Sequence, residues 1–315
     1  MESKSVIPCY HQKVYEGRRT FLPFTVCPLL LCNETVVAQF EQSGLYGYSV
    51  FTTAGKQKCM KIIKHRLGDF PKLEILPLAD LHIGDIHSDG KKIQEWLDYI
   101  KKTPNCYTIL NGDLCDNATK TSIGDVYGST LRPMEQLEQA VKLFGPIKDK
   151  ILAVTAGNHE ARTYKTDGID MTQVICNQLG LDCYAPESAL VFIQFGKQDS
   201  DHHHWPMLYS IYCVHGSGGG RKEGGKINRL VDLATIVDAD IYLMSHTHLP
   251  AIARNSFYRV DTRRCTTTQV DHLFLNTSSA LQYGGYGEAQ SYKPNSLETP
   301  MIILDGTKRG MRAIL

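Results

Sequence analysis

The chain has 315 residues, with 34 Lys+Arg against 33 Asp+Glu, 42% hydrophobic and 21% charged residues. This excludes a disordered or fibrous chain and allows one large domain or two modest ones, each with a buried core. A net charge of +1 excludes the strong global attraction of a basic protein for nucleic acid or anionic membrane, but not a local basic patch.

The first 70 residues contain Pro8, Pro23, Pro28 and β-prone runs such as Tyr46–Thr53, without a helical period. They are read as a small β-rich N-terminal extension (1–70) preceding the main domain (71–315). Lys56, Lys58, Lys61, Lys64 and Arg66 form its basic stretch, either a solvated strand or loop or a contact for backbone phosphate. The apolar run Val26–Cys32 is short and broken by Pro28, so no membrane association is expected. Met1-Glu2-Ser3-Lys4 opens no apolar leader, and the 10 cysteines are scattered with no Cys-x-x-Cys pair. Free thiols in a cytoplasmic protein are the reading that follows.

Short apolar runs then alternate with amphipathic segments. Strands are predicted at Lys72–Ala79, Asn105–Asn111, Ile151–Thr155, Ala189–Phe195, Met207–Val214, Ile241–Met244, His272–Leu275 and Met301–Leu304. Helices are predicted at Lys91–Lys102, Met134–Ile147, Asp170–Leu179 and Lys226–Ala239. The alternation implies an α/β layered fold. His202, His203 and His204 fall in a hairpin loop and are read as solvated.

Five polar patterns follow predicted strands: Asp80-Leu81-His82, Gly112-Asp113-Leu114-Cys115-Asp116-Asn117, Gly157-Asn158-His159-Glu160, His215-Gly216 and Ser245-His246-Thr247-His248. In open α/β sheets ligands collect at the carboxyl ends of strands, so these clusters can converge. Carboxylate, amide and imidazole donors without thiolate suit Mn, Fe or Zn. With extended backbone, the i, i+2 spacing would point Asp80 with His82, and His246 with His248, the same way. A carboxylate such as Asp113 can bridge two metals.

The ordered set closely resembles the signature of the calcineurin-like metallophosphoesterase superfamily (DxH, GDxxD, GNH[ED], H, GHxH), over about residues 72–305. The resemblance implies two central mixed β-sheets flanked by helices, and two divalent metal ions, Mn first, with Fe or Zn as alternatives. It implies Asp80, His82 and His248 at one metal, Asn158, His215 and His246 at the other, and Asp113 bridging. His159 would be the general acid beside the leaving group, held by Asp116. Hydroxide activated by the metals would attack the phosphorus.

Two positions depart from the pattern. Ser245 replaces a Gly, and Asn117 stands where the Ser/Thr protein phosphatases carry Arg. That missing Arg, and Asp80–Gly84 (DLHIG), which resembles the opening motif of the repair-nuclease branch, favour a phosphodiester substrate. A DNA exo- or endonuclease leads, followed by a nucleotide or cyclic-nucleotide phosphodiesterase, then a protein phosphatase, and last a non-catalytic interaction module. The Gly/Tyr-rich tail is also similar to that of phage-encoded members.

Arg162 either contacts phosphate or pairs with a surface carboxylate. The Gly216–Gly225 loop is read as a substrate loop carrying Arg221 or Lys222 to a phosphate. As a P-loop it would need Ser or Thr after Lys226, where Ile227 stands. Gln282–Tyr292 is either an aromatic rim for a nucleobase or tyrosines packed on the sheet edge.

Overall fold

The structure, a computed structural model, describes residues 60–120, 122, 126–196 and 206–315, and of the residues before them the backbone of four strands. The chain divides into two compact units, Met1–Cys59 and Met60–Leu315. In the first, β1 (Tyr10–Tyr15) pairs antiparallel with β2 (Arg18–Pro23), and β3 (Thr35–Gln42) with β4 (Leu45–Thr52).

The second unit begins eleven residues earlier than the sequence reading placed it. Its first strand, β5 (Lys61–Arg66), lies inside the expected extension yet pairs in parallel with β10 (Ser188–Phe195). Lys61 of the basic stretch donates to the carbonyls of Asp182 (2.5 Å) and Tyr184 (2.8 Å), a structural use rather than a phosphate contact. Lys56 and Lys58 lie outside the described residues, as do His202, His203 and His204.

The remaining elements run β6 (Lys72–Ile75), α1 (Gly90–Lys102), β7 (Cys106–Asn111), α2 (Pro133–Phe144), β8 (Ile151–Thr155), α3 (Glu160–Asp167), α4 (Met171–Leu179) and β9 (Tyr184–Ala185). After β10 come β11 (Met207–Val214), α5 (Glu223–Asp232), β12 (Ile241–Met244), β13 (Ala251–Asp261), β14 (Thr266–Asn276), α6 (Gly285–Ala289), β15 (Met301–Asp305) and β16 (Met311–Ile314). They form two six-stranded mixed sheets flanked by helices, ordered β16-β15-β6-β7-β8-β9 and β13-β14-β12-β11-β10-β5.

One apolar core runs through both sheets, taking Leu73, Ile109 and Val154 from the first and Val191, Ile211, Leu243 and Leu275 from the second. The period of two in a strand assigns the alternate residues Tyr212, Tyr242, Met244 and Phe274 to the opposite face, under Leu230 of α5. Helix α1 starts where Asp89 accepts the Lys92 amide (2.9 Å), and it buries Ile93, Trp96, Leu97 and Ile100. Asp170 caps α4 in the same way.

β6, β7 and β8 are parallel, and so are β11, β12 and β14, so each set directs its carboxyl ends to one edge of its sheet. The five polar patterns sit at those edges. The six described cysteines are all free, and no helix among the described residues is long and apolar enough to cross a membrane.

Candidate metal centre

The sheet order brings together side chains far apart in the chain. Asp80, His82 and His248 offer one ligand atom each within 4.8 Å of one another, as do Asp113, His215 and His246, and also His82, Asp113 and His159. Asp80 Oδ1 is 3.1 Å from His248 Nε2, and Asp113 Oδ2 is 3.2 Å from His215 Nε2. Asn158, an exposed residue, places Oδ1 3.3 Å from His215 Nε2. All seven ligands expected from the sequence are thus gathered in two adjoining groups, and His159 lies against them.

The backbone that presents them is not extended. Asp80, His82, Asp113, His246 and His248 have φ of 51°, 47°, 50°, 67° and 53°, the left-handed region. Each costs a non-glycine residue about 1–2 kcal/mol. The extended i, i+2 geometry expected for the two short motifs is therefore wrong. Asp80 and His82 share a group, whereas His246 and His248 enter different groups. A tight turn closed by Thr247 N donating to Ser245 O (2.7 Å) makes that divergence possible.

Two glycines permit the close approach. A Cβ on Gly112 would lie 2.6 Å from His215 Nδ1, and one on Gly157 would lie 2.0 Å from Asp113 Oδ1. Only the missing side chain lets those loops nest.

The donor set fits divalent cations. His215 Nδ1 donates to the Asn111 carbonyl (2.7 Å), which turns Nε2 toward the oxygens of Asp113 and Asn158. Acceptors facing one another in a buried site need a proton or a metal between them. His82 and His248 likewise point Nε2 at Nε2 across 3.5 Å, and Nδ1 of both His82 and His246 is buried with no hydrogen-bond partner among the described residues.

Burial, then the neighbouring His159 imidazole, holds His82 well below the usual imidazole range; burial and His215 lower His246. Neutral imidazoles are the form that binds metal. Burial also disfavours charge on His215, but the Asp113 carboxylate overrides it and lifts that pKa to about 10.

His159 is held by Asp116, though chiefly by its backbone: Nδ1 donates to the Asp116 carbonyl at 2.6 Å, and the nearer carboxylate oxygen is 3.3 Å away. Arg162 Nη2 lies 2.9 Å from His159 Nε2, and Nη1 donates to the Asp116 carbonyl (3.0 Å). A guanidinium only donates, so Nε2 accepts and the resting ring is the neutral Nδ1–H tautomer. Burial works against charge on His159, while Asp116 and Asp113 outweigh it and raise the pKa.

Of the three expected substrate contacts, Arg162 alone reaches this cluster. Arg221 lies over the Tyr292 ring (5.7 Å) and Lys222 immediately precedes α5, and among the described residues neither bonds to a cluster residue.

Two residues escaped assignment from the sequence. Asn111 donates to the Val214 carbonyl (2.9 Å) and Ser245 Oγ (2.7 Å) and accepts from Thr155 Oγ1 (2.9 Å), joining four motif-bearing segments across both sheets. That contact gives Ser245, the departure from the family's Gly, a use of its own. Glu160 is buried and accepts the amides of Asp113 (3.1 Å), Cys115 (2.9 Å) and Gly157 (3.0 Å). Its place in Gly157-Asn158-His159-Glu160 was the available signal. Glu160→Ala strands three buried donors, each costing about 1–3 kcal/mol when left unmade. A loss of several kcal/mol in a denaturant titration is expected; a loss under about 1 kcal/mol would refute this anchoring role.

Donors of this kind, gathered at the strand ends of two layered sheets, define a candidate divalent-metal site. Residues 81–250, more than half of the chain, match the model of the calcineurin-like phosphoesterases; the chain belongs to that family and hydrolyses phosphoester bonds at a divalent-metal site. Similar solved structures include a conserved uncharacterised protein described as a predicted phosphoesterase, from Streptococcus pneumoniae TIGR4 (16% identity, 78% of this chain and 90% of that one, TM-score 0.33). Others are a double mutant of Vps29 from Entamoeba histolytica (13%, 77% and 97%, TM-score 0.37) and GAP50, the anchor in the inner membrane complex of Plasmodium (11%, 78% and 84%, TM-score 0.36). No curated protein matched the chain.

Proposed function

We propose that the protein hydrolyses a phosphodiester, a DNA end or a nucleotide diester, with a pair of divalent ions, Mn²⁺ first. The observation that carries this reading is the place of Asp113 between the two donor groups: its carboxylate lies within 4.8 Å of His82 of the Asp80 group as well as of His215 and His246. Asp80, His82 and His248 would hold one ion, and His215, His246 and Asn158 the other. Bound there, the ions would polarise the phosphoryl oxygens and make water a nucleophile at neutral pH.

The chain's own residues then orient the ester and handle the proton. Arg162 sits where it can exchange His159 Nε2 for a phosphate oxygen, freeing that nitrogen to carry a proton to the leaving oxygen, with Asp116 steadying the ring. The preference for a diester follows from charge. A monoester dianion carries one more negative charge, and Asn117, where the protein phosphatases carry Arg, supplies no cation. It is buried, donates Nδ2 to the His159 carbonyl (2.8 Å) and accepts from Thr163 Oγ1 (2.8 Å).

The test is a panel assayed with Mn²⁺: bis-nitrophenyl phosphate, nitrophenyl phosphate, phosphopeptide, cyclic nucleotides, RNA, and single- and double-stranded DNA. Higher kcat/KM for diesters than for matched monoesters is expected. The reverse order would overturn the diester reading.

A further inference from the structure

The Gly-rich segment after His215 is not a phosphate loop, yet its lysine has a definite partner. Lys226 is half-buried in α5 and donates Nζ to the Thr247 carbonyl at 2.7 Å. Thr247 stands between His246 and His248. One turn along the same helix face, at the i+3 position, Arg229 donates Nη1 to the Ser217 carbonyl at 2.6 Å. Ser217 lies two residues after His215. The two carbonyls therefore belong to the two segments that carry His215, His246 and His248, and those segments are themselves joined by Ser245 N donating to the His215 carbonyl (3.0 Å).

The surroundings are shaped for these contacts. Gly218 has φ of +107°, and a Cβ there would fall 0.9 Å from Arg229 Nη1, so only Gly lets the guanidinium pass to Ser217. Lys226 is the fourth residue of α5, where the positive end of the helix dipole disfavours a cation. Its placement answers to Thr247, against the helix's own preference. The helix start is tied in turn by Glu223 to Lys293 (2.6 Å) and by the Arg221–Tyr292 stacking. Asn276 holds the far side of the same turn, donating to Thr247 Oγ1 (2.9 Å) and to the Leu249 carbonyl (2.6 Å).

We propose that Lys226 and Arg229 are positioning residues, a cationic brace on α5 that sets the directions of the His215, His246 and His248 side chains and so the affinity for metal. The inference rests on those histidines being metal ligands, as proposed above. It makes a prediction opposite in sign to simple electrostatics. A cation near a divalent-ion site repels the ion, so removing its charge alone would tighten binding. Removing the brace loosens it.

The experiment is a calorimetric Mn²⁺ titration of the full metal-free chain, wild type against Lys226→Met, Arg229→Met and Lys226→Arg, with the thermal midpoint of each metal-free protein alongside. Methionine keeps the stem length and helix propensity while deleting the donor. About tenfold weaker Mn²⁺ binding is expected for both Met variants, with the metal-free midpoint unchanged and affinity regained in Lys226→Arg. Affinity equal to or above wild type in Lys226→Met would overturn the brace. So would a metal-free midpoint that falls in step with the affinity, or an unchanged Mn²⁺ affinity with a raised KM for the ester, which would make Lys226 a substrate contact. Wild type that takes up no Mn²⁺ would instead remove the ligand assignment on which the brace depends, so the two failures are told apart by the control.

Discussion

Asp113→Asn is expected to abolish turnover and to weaken metal binding at both donor groups. The carboxylate lies at the junction of the groups, with its partners His159 and His215 coming from different sheets. The amide keeps the shape but loses the charge, and its NH₂ cannot accept where Oδ1 or Oδ2 now does. Removing one partner of a buried charged set costs about 3–5 kcal/mol, or about 10²–10⁴-fold in binding. A Mn²⁺ titration and metal analysis of the purified variant, with bis-nitrophenyl phosphate turnover, measure it. His248→Ala is the comparison: its ring belongs only to the Asp80 group, so loss of a single equivalent is expected. If Asp113→Asn also loses only one equivalent, Asp113 is not shared.

His159→Ala is expected to leave the metals in place and to slow hydrolysis of esters with poor, alkoxide leaving groups by about 10²–10⁴-fold. Nitrophenyl esters, whose leaving group needs little protonation, should lose much less. The expectation follows from position: His159 adjoins the donor groups without being needed to complete either, and its ring is held by Asp116 on one side and Arg162 on the other. Paired kcat measurements on an alkyl and a nitrophenyl diester, with metal content, decide the matter. Equal losses on both esters would sink the general-acid role.

Much of this site was legible in the chain because its signals are local. Apolar runs marked β6, β7, β8, β11 and β12, and the donors fall within a few residues of where those strands end. Three regions left weak local signals. Helix α3 buries only Glu160, so it has no apolar stripe to betray it. The outer half of the β13–β14 hairpin is exposed on both faces, which erases the alternation that reveals a strand. β5 resembled the proline- and lysine-rich segment before it, and its membership of the second sheet depends on β10, more than a hundred residues away. Asn111 and Glu160 were readable as residue types but not as anchors, since their partners lie on other segments.

The sequence by itself determined the chemistry: which donors, in which order, each after a strand, because strand propensity and donor identity are carried by neighbouring residues. Tertiary structure alone decided how the donors divide. Asp80 meets His246 and His248 across 166 and 168 positions of chain, and His246 parts from His248 because a left-handed turn separates them. Such pairings depend on sheet order and on backbone conformations that nothing local favours, and the same long-range packing places Arg162 on His159 and Lys226 under the turn of the two histidines.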